Sequence, residues 1–348
     1  MERTTIKRYS SSKKSAILIK GRFRQKKKPI RKISKLANRE SLKVAFLATL
    51  AFICLTKTLY KLQAKPEKVA SSNISIKNLA NREASLVSGD QHVNSELQMR
   101  FEDFIEEMYQ TGMIKPEERT AWLAYDLVNQ KPIISINADL PMQSASMIKP
   151  FVALAFFHKV RDGQLQQTNQ SERFLRLMIQ HSWNTATNWI MMQVGGPKAV
   201  NDLLHDNYPD IFQQTSIVEY IPPGGLTYKN MSSASDYNRF LIAVWSGEVP
   251  YADEIKRLMG LANPGRSGEI MSCTNVCHKS GTTARMCGDM AILESTGKYG
   301  LHAYTFIGII DRDDSVDDYL RWRRIKIDVI RKASTMVYDA MKSMYKYS

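Results

Sequence analysis

The sequence predicts an α+β fold: a five-stranded antiparallel sheet assembled from both ends of one domain, flanked by helices, with an all-helical subdomain inserted between its strands. Three observations predict it. Leu97, Phe101, Phe104, Ile105 and Met108 recur at helical spacing and are followed by two strand-like runs. A helical block then extends from about residue 146 to 245, and three further strand-like runs precede a long closing helix.

Each element has its own signal. Gly112 offers a C-terminal stop for the first helix. Thr120–Leu127 and Ile133–Asn137 read as strands, with Val128-Asn129-Gln130-Lys131-Pro132 as the hairpin between them. The helical block opens on Gln143-Ser144-Ala145-Ser146-Met147-Ile148-Lys149-Pro150 and the apolar run Phe151–Phe157. Past Gly260 the period changes: Val276–Thr282, Met290–Leu293 and Leu301–Ile310 read as strands, the last two joined by Ser295-Thr296-Gly297-Lys298-Tyr299-Gly300. The closing helix is expected to bury Val316, Leu320, Ile327, Ile330, Val337, Met341 and Met344 on one face. No internal repeat is visible.

The folded domain, residues 93–348, follows three segments of different character. Residues 1–43 hold sixteen Lys/Arg against Glu2 and Glu40, so this tail alone carries +14 of the formal +15. The remainder is nearly neutral, which argues against a nucleic-acid-binding surface on the domain. Residues 44–60 contain the apolar run Val44–Leu55, twelve residues long. That is short of the roughly 20 of a spanning helix and suits a signal-peptide core. No small-x-small cleavage site follows, and if Lys43, Lys57 and Lys61 snorkel the segment just spans a bilayer. The favoured reading is an uncleaved anchor with the tail inside and the domain outside the cytoplasmic membrane, in the periplasm. A cleaved signal and secretion, or an organelle transit peptide, are the alternatives. The simplest partners for the tail are anionic lipid headgroups. Residues 61–92 are polar and aperiodic, and read as a linker.

The cysteine reading depends on whether the domain is exported; if it is, a disulfide can form. Cys273, Cys277 and Cys287 fall within fifteen residues, so one disulfide with one thiol left over is expected. The rival zinc reading would need His278 as a ligand, on the strand face opposite Cys277. No metal, no cofactor and a monomeric chain are the expectations.

Ser146 and Lys149 place a hydroxyl and an amine one turn apart at a helix start, where free N–H groups favour developing negative charge. S-x-x-K alone is weak: it also starts at Ser10, Ser11, Ser295 and Ser343. Two later stretches select Ser146. His181-Ser182-Trp183-Asn184-Thr185-Ala186-Thr187-Asn188 opens a helix that ends in Gly195-Gly196-Pro197, and Cys277-His278-Lys279-Ser280-Gly281-Thr282-Thr283 lies on the strand after the helical block. Singly, these are ordinary caps and a strand–turn; in this order they are the set S-x-x-K, S-x-N, K-S-G.

From about residue 93 onward the chain resembles the class A β-lactamase and penicillin-binding D,D-peptidase superfamily of serine hydrolases. The resemblance implies that Ser146 attacks an amide or lactam carbonyl and becomes acylated, with Lys149 taking its proton. For that the amine's pKa must fall, and the second cation Lys279 is the candidate cause. Ser182 would relay the proton to the leaving nitrogen, and Asn184 would hydrogen-bond the substrate amide. The backbone N–H groups of Ser146 and Thr282 would form the oxyanion hole. Lys279, Ser280, Gly281 and Thr282 would receive the carboxylate shared by penicillins and acyl-D-Ala-D-Ala peptides, with Arg285 a further candidate.

Two departures stand out. The loop after Gly-Gly-Pro carries Glu219 at nearly the place of the deacylating glutamate, but without the E-x-x-L-N context. Ser146 and Ser182 are 36 residues apart, about half the family's usual spacing, so one cleft wall should be missing and the site more open. Lactamase-type hydrolysis with Glu219 as base is the first reading, and D-Ala-D-Ala carboxypeptidase or transpeptidase action on peptidoglycan the second. A wall-binding protein that kept the fold without turnover is the reading from another class.

Overall fold

The computed structural model describes residues 95–262, 275–298 and 300–346. The basic tail, the expected anchor at 44–60, the linker and Cys273 lie outside these residues. Among the described residues, no helix is long and apolar enough to cross a membrane.

Helix α1 (Ser95–Gln110) buries all five residues of the predicted stripe, and Gly112 ends it at φ 69°. Strands β1 (Arg119–Asp126) and β2 (Lys131–Ile136) form the expected hairpin. A two-residue strand β3 (Met142–Gln143) and a 3-10 turn (Ala145–Ile148) lead into α2 (Lys149–Arg161). Every residue of α2 from Lys149 to His158 is buried, so this helix is the axis of the helical region. Helices α3 (Asn169–Ile179), α4 (Asn184–Val194) and α5 (Pro197–Asn207) pack around it. Strand β4 (Met231–Ser232) pairs with β3, and α6 (Ala234–Trp245) ends where the sequence places the end of the block. Helix α7 (Ala252–Met259) was not legible as a separate element.

Strands β5 (Asn275–Thr282), β6 (Met286–Gly297) and β7 (Gly300–Asp311) complete the sheet, and α8 (Tyr319–Tyr345) closes the chain. The sheet order is β2-β1-β7-β6-β5, antiparallel throughout, so the two ends of the domain meet where β1 pairs with β7. One core lies between the sheet and the helical region, around Phe151, Phe212 and Phe240. The other lies under α1 and α8, around Phe101, Trp122 and Phe306.

Three expectations change. Strands β6 and β7 are twelve residues each; as central strands buried on both faces they lack the alternation that marks a strand's ends. On α8, Ile330, Val337 and Met341 are buried as expected, but Val316 precedes the helix, Leu320 is 69% and Met344 38% exposed, and the buried face also takes in Trp322, Lys326, Val329 and Ala333. Glu118, itself buried, fixes that rotation: Trp322 Nε1 and Lys326 Nζ both donate to its carboxylate. Burial pushes the Lys326 amine down in pKa, and the Glu118 contact opposes that. Cys277 and Cys287 are free thiols rather than a disulfide, lying in the two different cores on opposite sheet faces. Burial pushes Cys277 up to about 11 and Cys287 up to about 12, so both stay protonated at neutral pH.

Candidate active site

The turn bearing Ser146 is held from three sides. Ser144 donates from its backbone N and its hydroxyl to the Asn230 carbonyl, at 3.0 and 2.8 Å. Asp311, at the end of β7, accepts from Gln143 N at 3.0 Å and from Arg119 through two bonds. From below, Gly281 and Gly288 pair across β5 and β6 and form a seat for Ser146 and Met147. A Cβ on Gly281 would lie 3.0 Å from Ser146 N, and one on Gly288 would lie 2.8 Å from Met147 Sδ. Ala145 sits at φ 44° and Ser182 at φ 55°. Such left-handed conformations cost about 1–3 kcal/mol each for a residue with a Cβ, and persist where the surroundings over-determine them.

Lys149 is fully buried, and its Nζ donates to the Ser182 carbonyl at 2.6 Å, Ser182 Oγ at 2.9 Å and Asn184 Oδ1 at 3.0 Å. The second motif is thereby bolted to the first. Ser182 Oγ accepts from Lys149 and keeps its own proton free to donate into the cavity it lines. Lys279 is buried on the Ser146 side of β5, and its Nζ donates to the Ser280 carbonyl at 2.8 Å.

Ser146, Ser182, Asn184, Ser280 and Thr282 line one cavity of about 550 Å³. The structure thus brings the three motifs together around one space. The floor near the nucleophile comes from Gly224–Thr227, and the far wall from α8 through Tyr319, Arg323 and Ile327. Tyr319 Oη donates to Thr282 Oγ1 at 3.1 Å. The α8 residues were missed from sequence, since nothing local marks which flank of a 27-residue helix meets a cleft.

Five predicted site residues are not among those lining this cavity: Lys149 and Lys279 are buried, Gly281 seats the Ser146 turn, and Glu219 and Arg285 are turned to other partners. Glu219 Oε1 accepts from Thr227 Oγ1 at 3.0 Å, Tyr228 N at 3.1 Å and Lys229 N at 3.2 Å. Through Oε1 the carboxylate closes its own loop, and Glu219 is not among the residues lining the cavity. Asn230, 1% exposed, completes the loop by accepting from Val218 N and Glu219 N and donating to the Glu219 carbonyl. Asn188 on α4 pins it further through two bonds with the Ile221 backbone, at 2.8 and 2.9 Å. Arg285 stacks its guanidinium 4.2 Å from the Tyr228 ring centroid and donates to Ser315 Oγ, so it braces the loop instead of facing the cleft. The single carboxylate among the described lining residues is Asp289, which lies 3.2 Å from His278 Nδ1. Among the described residues, no group of three or more His, Cys, Asp or Glu side chains is placed to hold a metal ion.

A half-buried serine beside a buried lysine–serine pair, on a sheet-plus-helical scaffold, is the arrangement of a serine hydrolase of the β-lactamase type, and comparisons agree at the level of the family. The profile of the Beta-lactamase enzyme family matches residues 101–173 and 170–341, and the chain belongs to that family. The fold is shared with PBP-A in its acyl-enzyme complex with penicillin G, at TM-score 0.58 and 19% identity over 72% of this chain and 97% of that one. A β-lactamase from Chitinophaga pinensis aligns at TM-score 0.55 and 16% identity, covering 71% of this chain and 99% of that one. An ancestral class A β-lactamase aligns at TM-score 0.56 and 15% identity, covering 70% and 99%. No curated protein matches the chain.

Proposed function

We propose that this chain is a penicillin-binding acyl transferase: Ser146 is acylated by β-lactams and by acyl-D-Ala-D-Ala peptides, and the lactam adduct is long-lived. The observation that carries this is the Lys149–Ser182–Asn184 network opening on the same cavity as Ser146. In this reading Ser146 Oγ attacks the carbonyl carbon while Lys149 receives its proton. The tetrahedral oxyanion is held by the N–H groups of Ser146 and Thr282, which the Gly281 seat allows to approach one another. Ser182 hands a proton to the leaving nitrogen, Asn184 holds the substrate amide, and Lys279, Ser280 and Thr282 take the carboxylate. Deacylation is slow because Glu219 is engaged by Thr227–Lys229, and Asp289, the lining carboxylate, is held by His278. Residues 44–60 would tether this domain outside the cytoplasmic membrane, a reading supported by the sequence alone.

Efficient lactam hydrolysis is the second reading, favoured by membership in the β-lactamase family. Intact-protein mass after mixing with benzylpenicillin separates the two. The expected result is one adduct per chain that persists for minutes or longer, on the order of a thousandfold slower than turnover at a median enzyme rate. Rapid loss of the adduct with stoichiometric penicilloate release would favour hydrolysis. No adduct on the wild-type chain, under conditions that label a control, would remove both.

A further inference from the structure

The cavity that holds Ser146 does not end at the carboxylate-binding strand. Side chains on β5 alternate, with Lys279 and Gly281 facing the nucleophile turn and Ser280 and Thr282 facing α8. Their register partners Asp289 and Cys287 share the α8 side and line the same cavity. Tyr319 touches Thr282 there, and Arg323 lies one helical turn further along the wall. Neighbouring positions one turn apart on a helix surface are about 5–6 Å from each other.

Two arginines of this wall, Arg331 and Arg323, each have a buried Nε without a hydrogen-bond partner; Arg331 pairs with Asp328 through Nη1, and Arg323 is the one a single turn from Tyr319. On the same side of the strand, Asp289 lies 3.2 Å from His278 Nδ1, and burial keeps the Cys287 thiol protonated. A guanidinium half-withdrawn from water, with an unused donor in a cavity wall, is a site prepared for an anion, and its planar fork suits a carboxylate. Arg285, by contrast, is already engaged by Tyr228 and Ser315.

We infer that Arg323 forms a second anion subsite, which takes an additional carboxylate on the leaving residue of the substrate. The inference rests on the proposed assignment of the first carboxylate to Ser280 and Thr282. A second carboxylate on a short side chain of the leaving residue would extend past Ser280 and Thr282 toward α8, the wall that carries Arg323. The favoured peptide therefore ends in a residue of the D-aspartate or D-glutamate kind rather than in D-alanine. The leaving residue departs as a free amine once Ser182 has protonated its nitrogen, so the second carboxylate takes no part in bond making.

Calorimetry on the full chain carrying Ser146→Ala, which cannot turn substrate over, tests this with acetyl-D-Ala-D-Glu and acetyl-D-Ala-D-Ala. The dicarboxylate peptide should bind about tenfold more tightly, the scale of one charge-assisted hydrogen bond. Adding Arg323→Gln should bring the two affinities together while moving the D-Ala peptide by less than about threefold, and Arg323→Lys should keep part of the preference. Equal affinity in the Ser146→Ala chain, or binding of neither peptide, overturns the subsite. So does equal weakening of both peptides by Arg323→Gln, which would assign Arg323 to the shared carboxylate. Penicillin labelling of the chain with Ser146 intact is scored apart. Labelling without a dicarboxylate preference sinks the subsite and leaves acylation standing, whereas preference without labelling does the reverse.

Discussion

At the nucleophile corner, buried polar atoms point at one another and into the cleft: Lys149 Nζ reaches Ser182 and Asn184, and Ser182 lines the cavity. Beside it, the loop from Ser216 to Asn230 is also rich in hydrogen bonds, yet those of the Glu219 and Asn230 side chains close on the loop itself. The same kinds of residue build a reactive centre in one place and a rigid wall in the other. The difference lies in where the unused donors and acceptors face. The Glu219 carboxylate accepts three hydrogen bonds from its own loop, whereas the Ser182 hydroxyl accepts one from Lys149 and keeps its proton to donate into the cavity.

The contrast can be broken most severely at the corner. Ser146→Ala should abolish covalent penicillin labelling, and any remaining label would have to be mapped to another serine. Lys149→Met should slow acylation by about 10²–10⁴-fold, the usual range for removing a positioned proton acceptor. Stopped-flow labelling rates measure it, and a loss under about threefold would mean that another group takes the proton. Gly281→Ala should follow, with roughly 10²-fold slower labelling, because the new Cβ displaces the Ser146 turn from its seat.

Effects on the wall should be smaller and of another kind. Glu219→Gln keeps an acceptor for Thr227, Tyr228 and Lys229, so the lifetime of the penicillin adduct should not change; a large lengthening would restore Glu219 as the deacylating base. Glu219→Ala leaves those donors unmet and should destabilise the domain by about 1–3 kcal/mol in urea unfolding. Smallest of all, Arg285→Ala should cost about 0.5–1 kcal/mol through loss of the Tyr228 stack, with labelling rates unaltered.

The corner was legible in the sequence because each of its motifs is local: Ser146 with Lys149, Ser182 with Asn184, Lys279 with Gly281. Their order along the chain then supplied what no single spacing did. The wall was not legible. Whether Glu219 faces the cleft depends on hydrogen bonds to residues eight to ten positions later, which no spacing pattern encodes. Among the elements, α1 announced itself through a clean apolar stripe, and α6 ended at Trp245 as expected. Helix α8 misled because its buried face includes Lys326, a residue that reads as solvent-facing until Glu118 is seen opposite it. The start of β6 at Met286 was hidden by Gly288 and Asp289, polar or small residues that sit in a strand buried on both sides.

The sheet that joins the two ends of the domain also sets an order of events in folding. Arg119 and Asp311 meet across 192 positions, so before β7 is in place the sheet consists of two separate strand pairs, β1–β2 and β5–β6, each marginal by itself in water. Closing so long a loop is an entropic cost met before the pairing rewards it, and it slows folding. Within the helical region, the contacts of Phe151 with Phe212, Tyr237 and Phe240 close shorter loops. The glycine seat under Ser146 belongs to β5 and β6, and Asp311 behind it to β7, so the nucleophile turn is assembled last. A partly folded chain carries Ser146 and Lys149 but not the surface that aims them.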